Sequence, residues 1–94
     1  MIITRRDVAR KIIGYLHHHI SMEELVNWAE NAMMEGDFEP RDFETLRDII
    51  GRLGLVDVKE FGLTWEDCEH FLTLLGYEAR VIVKESPAMA AAEN

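Results

Sequence analysis

The stretch SMEELVNWAENAMMEG, which covers residues 21–36, contains a complete helix with its start and its end. Ser21 stands three residues before Glu24, and its hydroxyl can accept a hydrogen bond from an N–H group of the first helical turn. Apolar residues then recur at spacings of three, four and seven, as on one face of a helix. Gly36 ends the pattern, because glycine adopts at little cost the left-handed conformation that closes many helices. The predicted buried face consists of Met22, Leu25, Val26, Ala29, Ala32 and Met33.

Three further runs are typical of helices. Residues 4–7 (TRRD) and 64–67 (TWED) each place a threonine three positions before an aspartate. At all three starts the carboxylate can reach back to the N–H of the capping residue, although only the start at Ser21, which uses glutamate, has the strict capping-box sequence. Another run begins near Pro40, whose fixed φ angle suits the first helical position. The predicted helices are residues 4–18, 21–35, 40–53 and 64–75, with Phe43, Trp65, Cys68 and Leu72 among the inward side chains.

The remaining segments complete a mainly α-helical fold, a compact bundle of four helices. Residues 57–61 predict a short helical turn capped by the first of them, with a strand as the alternative because Val56 and Val58 alternate with polar residues. Residues 86–94 contain no candidate core side chains and predict a frayed, disordered tail. We therefore expect one domain over residues 1–85.

The sequence ARVIVK, residues 79–84, predicts a C-terminal β-strand because its apolar residues are contiguous and β-branched. A lone strand leaves N–H and C=O groups unpaired and therefore needs a partner. That partner could be residues 2–3, residues 55–59 or the same strand of a second copy across a twofold axis. The last possibility predicts a homodimer. Its self-association residues would be Arg80, Val81, Ile82, Val83 and Lys84.

Composition and charge narrow the classes of function. The 94 residues include 18 acidic and 10 basic side chains, for a net charge of −8. This excess argues against a direct binder of nucleic acid or of an anionic membrane, because phosphate groups would be repelled. One cysteine excludes an internal disulfide framework. No apolar run approaches the ~20 residues of a membrane span and no signal peptide is evident, so a cytoplasmic protein is expected.

The sequence contains no strong signal for a catalytic or metal-binding site. His17, His18 and His19 are consecutive, and neighbouring helical residues point about 100° apart, so the three cannot converge on one metal ion. Cys68 shares an apolar face with Leu72 and predicts a buried, unreactive thiol. The sequence has no nucleophilic serine motif, no glycine-rich phosphate loop and no distinctive carboxylate pair. We therefore predict no catalytic, cofactor or metal site and a protein that is not an enzyme.

The charges are unevenly distributed along the chain. Residues 21–50 carry nine acidic and two basic side chains, and the predicted second helix has no basic residue. A helix selected only for stability would mix cations into its exposed face and its last turn. The first two helices are joined by a short link and should be antiparallel neighbours. This arrangement would bring Arg5 and Arg6 towards Glu35 and Asp37 in partly exposed ion pairs.

Several acidic residues would stay uncompensated after that pairing. Such a surface is either simply solvated or attracts a basic protein partner. Trp28 lies at the margin of the second helix's apolar face, as a core-edge residue or as an exposed aromatic anchor. The predicted partner-binding residues are Glu23, Glu24, Asn27, Trp28, Glu30, Asn31, Glu44 and Asp48.

Residues 12–30 (IIGYLHHHISMEELVNWAE) resemble the N-terminal helical hairpin of small helical bacteriocin immunity proteins of the colicin D type. In both, a hydrophobic helix ends in a short polar turn, and Ile-Ser then begins an acidic helix with an aromatic residue. The resemblance implies a stoichiometric inhibitor whose acidic surface covers the cationic active site of a nuclease. The leading prediction is thus a non-catalytic, immunity-like or antitoxin-like protein-binding module. The alternative is a self-associating structural or regulatory domain, dimerising through its C-terminal strand or through Trp28 and Met34.

Overall fold

The computed structural model describes residues 2–57 and 62–87. Within these ranges the protein is mainly helical, with four helices and one small sheet, and the predicted fold class is confirmed. The elements follow in the order β1 (Ile2–Ile3), α1 (Arg5–Leu16), α2 (Met22–Glu35), β2 (Asp37–Phe38), a 3-10 turn (Pro40–Asp42), α3 (Phe43–Leu53) and α4 (Trp65–Leu74).

Hydroxyl side chains begin α1, α2 and α4. Thr4 Oγ1 accepts a hydrogen bond from the Asp7 N–H at 3.2 Å, and Asp7 Oδ2 accepts one from the Thr4 N–H at 2.9 Å. The same reciprocal pair joins Thr64 and Asp67 in α4. In α2 the Ser21 hydroxyl accepts from the Glu24 N–H. The return bond that the sequence predicts at all three starts is therefore confirmed in α1 and α4, where the carboxylate is an aspartate, but is not found in α2 among the described residues.

Gly36 ends α2, but not in the left-handed conformation that was expected. Its φ and ψ are −84° and 146°, so the chain leaves the helix directly in an extended conformation. Glycine is needed here because of close packing. A Cβ atom at this position would lie 2.3 Å from Ile3 Cδ1 and 2.7 Å from the Ala32 carbonyl oxygen. The missing side chain is what lets β1 lie against the end of α2.

The sheet pairs β1 with β2 in parallel, with Ile2 opposite Asp37 and Ile3 opposite Phe38. The Glu39 N–H donates to the Ile3 carbonyl oxygen at 3.0 Å and extends this contact. Residues 2–3, one candidate partner of the predicted C-terminal strand, therefore pair with a different segment.

The predicted strand over residues 79–84 is not found: residues 77–86 contain neither helix nor strand in the described chain. A strand is defined by its ladder of hydrogen bonds, and none of the described segments supplies one here. Of the turn predicted at residues 57–61, only Asp57 is described, in a turn that follows α3. The other four residues, and residues 88–94 of the predicted tail, lie outside the described ranges.

All four helices contribute to one core. Leu25 and Ala29 of α2 and Leu46 and Ile50 of α3 are fully buried within it. Four inward predictions are not borne out: Met33 and Phe43 are 46% and 45% exposed, and Met22 and Trp65 are only half-buried and lie outside the core cluster. Met33 lies at the edge of the α2 face. Phe43 is the first residue of α3, and its ring contacts the ring of Phe38 in a tilted arrangement, with 5.8 Å between the ring centroids. The other core residues are Ile3, Val8, Ala9, Ile12, Ala32, Ile49, Leu53, Cys68, Phe71, Leu72 and Leu75.

Candidate functional site

The predicted partner-binding residues lie on the outer sides of α2 and α3. Because Leu25, Ala29 and Ala32 turn one side of α2 into the core, the helical period places its acidic residues on the opposite side. Seven of the eight predicted residues are exposed, and Trp28 is half-buried. We call the exposed acidic and amide residues the acidic surface. Its members are Glu23, Glu24, Asn27, Glu30 and Asn31 of α2, and Glu44 and Asp48 of α3.

Cations do not compensate the α2 part of this surface. In the described ranges, no Lys, Arg or His nitrogen lies within 4.0 Å of a carboxylate oxygen of Glu23, Glu24 or Glu30. Asp48 of α3 does have a cation, since Arg47 Nη2 lies 3.3 Å from its Oδ1. Within the described ranges, no cation of the protein therefore neutralises Glu23, Glu24 or Glu30 through an ion pair.

The predicted ion pairs between the start of α1 and the end of α2 are wrong. Arg5 Nε instead lies 3.3 Å from Asp42 Oδ2, in the 3-10 turn, and Arg5 Nη1 donates to the Leu75 carbonyl oxygen at 3.5 Å. Arg5 thus ties the start of α1 to the end of α4 and not to α2. Glu35 and Asp37 have no ion pair within the described chain.

A groove of about 680 Å³ lies between α1 and α2. Its floor includes the apolar side chains of Ile3, Ile20 and Ala32, and Arg10 and Lys11 stand on its α1 wall. The α2 wall carries Trp28, Asn31 and Glu35. Two predicted partner-binding residues, Trp28 and Asn31, are therefore also groove residues.

Trp28 is a core-edge residue that faces this groove. Its indole packs against the hydrophobic core, and the Lys11 ammonium lies 5.7 Å from the ring centroid. Sequence reasoning missed Lys11, Arg10 and Glu35 as groove residues. For Glu35 a signal was present, because it follows Trp28 by seven positions and so shares its side of the helix. For Arg10 and Lys11 the sequence contains no such signal, because which sides of two helices face each other depends on how the helices pack.

The three consecutive histidines lie where α1 ends. All are exposed, and His18 has a φ angle of 61°, in the left-handed region. The rings of His17 and His19 meet edge to face at 5.6 Å between centroids. Among the described residues, no group of three or more His, Cys, Asp or Glu side chains is placed to hold a metal ion.

Cys68 and Asp67, neighbours in α4, have opposite pKa shifts. Cys68 is buried as predicted, and burial, with the Asp67 charge adding to it, raises the pKa of its thiol to about 11. The Thr64 backbone N–H is the largest factor that lowers the pKa of Asp67 below its ordinary value, and the Arg52 guanidinium also contributes. At neutral pH the cysteine is therefore a thiol and the aspartate a carboxylate.

The predicted self-association residues are exposed in an extended segment. Val81, Ile82 and Val83 are 62%, 79% and 87% exposed. Arg80 pairs with Glu78, two residues earlier. No backbone hydrogen bond to residues 80–84 is made from the described parts of the chain. Three contiguous β-branched side chains are thus exposed, and no described residue pairs with the backbone groups of this segment.

None of the helices in the described ranges is long and apolar enough to cross a lipid bilayer. Comparison with known proteins gives no match to a protein family, to a curated protein or to a solved structure.

Proposed function

We propose that this protein is a non-catalytic protein-binding domain whose acidic surface binds a basic protein partner. The observation that supports this most strongly is that Glu23, Glu24 and Glu30, on a helix without Lys or Arg, form no ion pair with any residue that the structure describes. Such a surface speeds encounter with a positively charged partner and disfavours an acidic one.

Trp28 gives this surface an aromatic anchor. Tryptophan is among the residues whose truncation costs most at interfaces, especially where it is surrounded by groups that exclude water. Trp28 is half-buried, so its position is fixed by packing before a partner arrives. A rigid aromatic side chain next to Asn31 and the α2 carboxylates offers both an apolar contact and charge complementarity.

An immunity-type inhibitor is the specific form of this function that we propose. The partner would be a toxin with a cationic active site, which the acidic surface would cover. Support comes from the similarity of residues 12–30 to the helical hairpin of colicin D-type immunity proteins. The carboxylates of the acidic surface would occupy the positions that the phosphates of a nucleic acid take in the partner's site.

The test compares two pairs of neutralised carboxylates. Glu23→Gln/Glu30→Gln removes two charges from α2, and Glu66→Gln/Glu69→Gln removes two exposed charges from α4 as a matched control. A basic protein captured from the native cell is identified and purified, and its association rate with each variant is measured at several salt concentrations. We expect the α2 pair to slow association by about 10-fold and to flatten its salt dependence, with a smaller effect from the α4 pair. Equal effects, or capture of no basic protein, would contradict the proposal.

Self-association is a second candidate function, favoured by the exposure of Val81, Ile82 and Val83. Contiguous apolar side chains on an open strand edge promote pairing with another chain. In this reading the protein is a structural or regulatory domain that dimerises through residues 80–84. Sedimentation equilibrium of the full chain tests it, and a monomer at high micromolar concentration would rule it out.

A further inference from the structure

We infer that residues 80–84, here called the C-terminal arm, of one copy bind in the groove between α1 and α2 of a second copy, and that the exchange is reciprocal. This inference rests on the second candidate function, self-association, and gives it a geometry. Reciprocal exchange obeys a twofold axis, so each dimer contains the arm–groove contact twice.

The arm needs cover on two sides. Successive side chains of an extended segment point in opposite directions, so Val81 and Val83 face one way and Ile82 the other. All three are more than 60% exposed. Antiparallel pairing of two arms would satisfy backbone groups but leave both faces of a two-stranded ribbon open to water, and such ribbons are marginally stable. A groove covers an inserted segment from more than one side.

The groove has a suitable length and an apolar floor. Glu35 and Trp28 stand at two places on its α2 wall that are seven residues, or about 10 Å, apart along the helix. The apolar part of the arm, from Val81 to Val83, spans about 7 Å when extended. It can therefore lie over Ile3 and Ala32 between these two residues.

Charge sets the direction of the arm in the groove. Glu35 and Lys84 have no ion pair in the described chain, whereas Arg80 pairs with Glu78. We therefore place Lys84 beside Glu35. This direction brings Arg80 towards the Lys11 end of the groove, where the Glu78 carboxylate reduces the repulsion between the two cations.

The anchoring of the residue before the arm favours binding in the groove of a second copy over binding in the groove of the same chain. Ala79 packs against the core, and Arg5 holds the preceding segment through the Leu75 carbonyl oxygen. Arg5 and Asp7 are two residues apart and therefore point about 200° apart around α1. Asp7 lines the groove, so Arg5 and the segment that it holds lie on the opposite side of α1. To enter its own groove, the arm would have to turn around the start of α1 immediately after an anchored residue. A second copy removes that constraint.

The first experiment measures the dimer Kd of the full 94-residue chain by sedimentation equilibrium from 1 to 500 µM. Ile82→Asp should raise the Kd by at least ~100-fold, because two apolar contacts are lost per dimer. Leu74→Asp is the matched control, since Leu74 is an apolar residue of α4 that is 50% exposed and lies outside the groove. The control should change the Kd by less than ~3-fold.

The second experiment uses charge reversal across the proposed contact. Lys84→Glu and Glu35→Lys should each raise the Kd by about 10-fold, since each places like charges together twice per dimer. An equimolar mixture of the two variants should recover the wild-type Kd, because both arm–groove contacts in the mixed dimer then join opposite charges. Recovery also shows that both variants are folded.

The outcomes distinguish self-association in general from arm exchange in particular. A wild-type chain that stays monomeric to 500 µM overturns both self-association and arm exchange. A dimer that is lost with Ile82→Asp but unchanged by Glu35→Lys retains self-association and overturns arm exchange in favour of arm–arm pairing. Failure of the charge-reversed mixture to recover overturns the proposed contact between Lys84 and Glu35.

Discussion

The Lys11 ammonium lies 5.7 Å from the centroid of the Trp28 ring and so connects α1 to α2 across their groove. Lys11 has no carboxylate within 4.0 Å among the described residues. At this contact the basic first helix therefore meets the acidic second helix through an aromatic ring and not through an ion pair.

We expect Lys11→Met to lower the free energy of unfolding by about 0.5–1 kcal/mol, the usual contribution of a partly exposed cation–π contact. Methionine retains an apolar side chain, so mainly the charge is lost. Arg10→Met is the control, because Arg10 lines the same groove without a recorded contact to an aromatic ring. Denaturant titration of both variants measures the difference. Equal effects would show that Trp28 does not hold the lysine.

Two glycines should respond oppositely to alanine. Gly36→Ala places a Cβ 2.3 Å from Ile3 Cδ1 and 2.7 Å from the Ala32 carbonyl oxygen, so β1 or the end of α2 must move. A loss of about 1–3 kcal/mol in the free energy of unfolding is expected from such overpacking. Gly51→Ala, in the interior of α3, meets no atom within 4 Å and should stabilise by up to ~1 kcal/mol.

Urea titration of both variants provides the comparison. Combining Gly36→Ala with Ile3→Val removes the nearer of the two clashing atoms and should recover part of the loss. A Gly36→Ala protein as stable as wild type would mean that β1 does not pack on the end of α2.

Leu72 tests the assignment of the α4 core face. Its side chain is 3% exposed and belongs to the same core cluster as Cys68 and Leu75. Leu72→Ala should cost about 2–5 kcal/mol, as for other buried leucines whose removal leaves a cavity. Leu74→Ala is the control, because Leu74 is 50% exposed two positions away. Guanidinium titration that gave both variants the same loss would show that the face is wrongly assigned.

Local sequence signals predicted the helices because their starts and periods depend on neighbouring residues. Thr4, Ser21 and Thr64 identified three starts correctly. Features that depend on distant partners were not predicted. The conformation of Gly36 depends on Ile3, which is 33 positions away, and the partner of Arg5 depends on where α4 ends.

In the candidate site, too, the features set by neighbouring residues were predicted and those set by the packing of distant residues were not. The outward direction of Glu23 and Glu30 follows from helical periodicity alone, and the structure agrees. The groove beside Trp28 required the packing of α1 on α2, which no local pattern encodes. The C-terminal strand predicted over residues 79–84 is not found within the described chain, because a strand needs a hydrogen-bonded neighbour and none of the described segments supplies one.

Asp67 should make the stability depend on pH in the acidic range. Its pKa is lower in the folded protein than the ordinary 3.8, chiefly because the Thr64 N–H donates to the carboxylate. A lowered folded pKa gives stability that is present above the unfolded value and is lost as the pH falls through the folded value. Asp67→Asn should therefore be less stable than wild type at pH 6, with a difference that shrinks below about pH 4. Glu24→Gln, without a return bond in α2, should show a smaller pH-dependent difference in urea titrations from pH 2.5 to 6.

Cys68 should affect stability at alkaline pH. Burial raises the pKa of its thiol from 9.0 to about 11 in the folded protein, so the folded state holds this proton more tightly than the unfolded state does. Stability from this group is complete below pH 9 and declines as the pH rises towards 11. Cys68→Ala should lose stability at pH 7 through its smaller volume but show a flatter decline between pH 8 and 10.5. Urea titration across that range measures both slopes, and parallel slopes for the two proteins would show that the thiol is not protected from ionisation by the core.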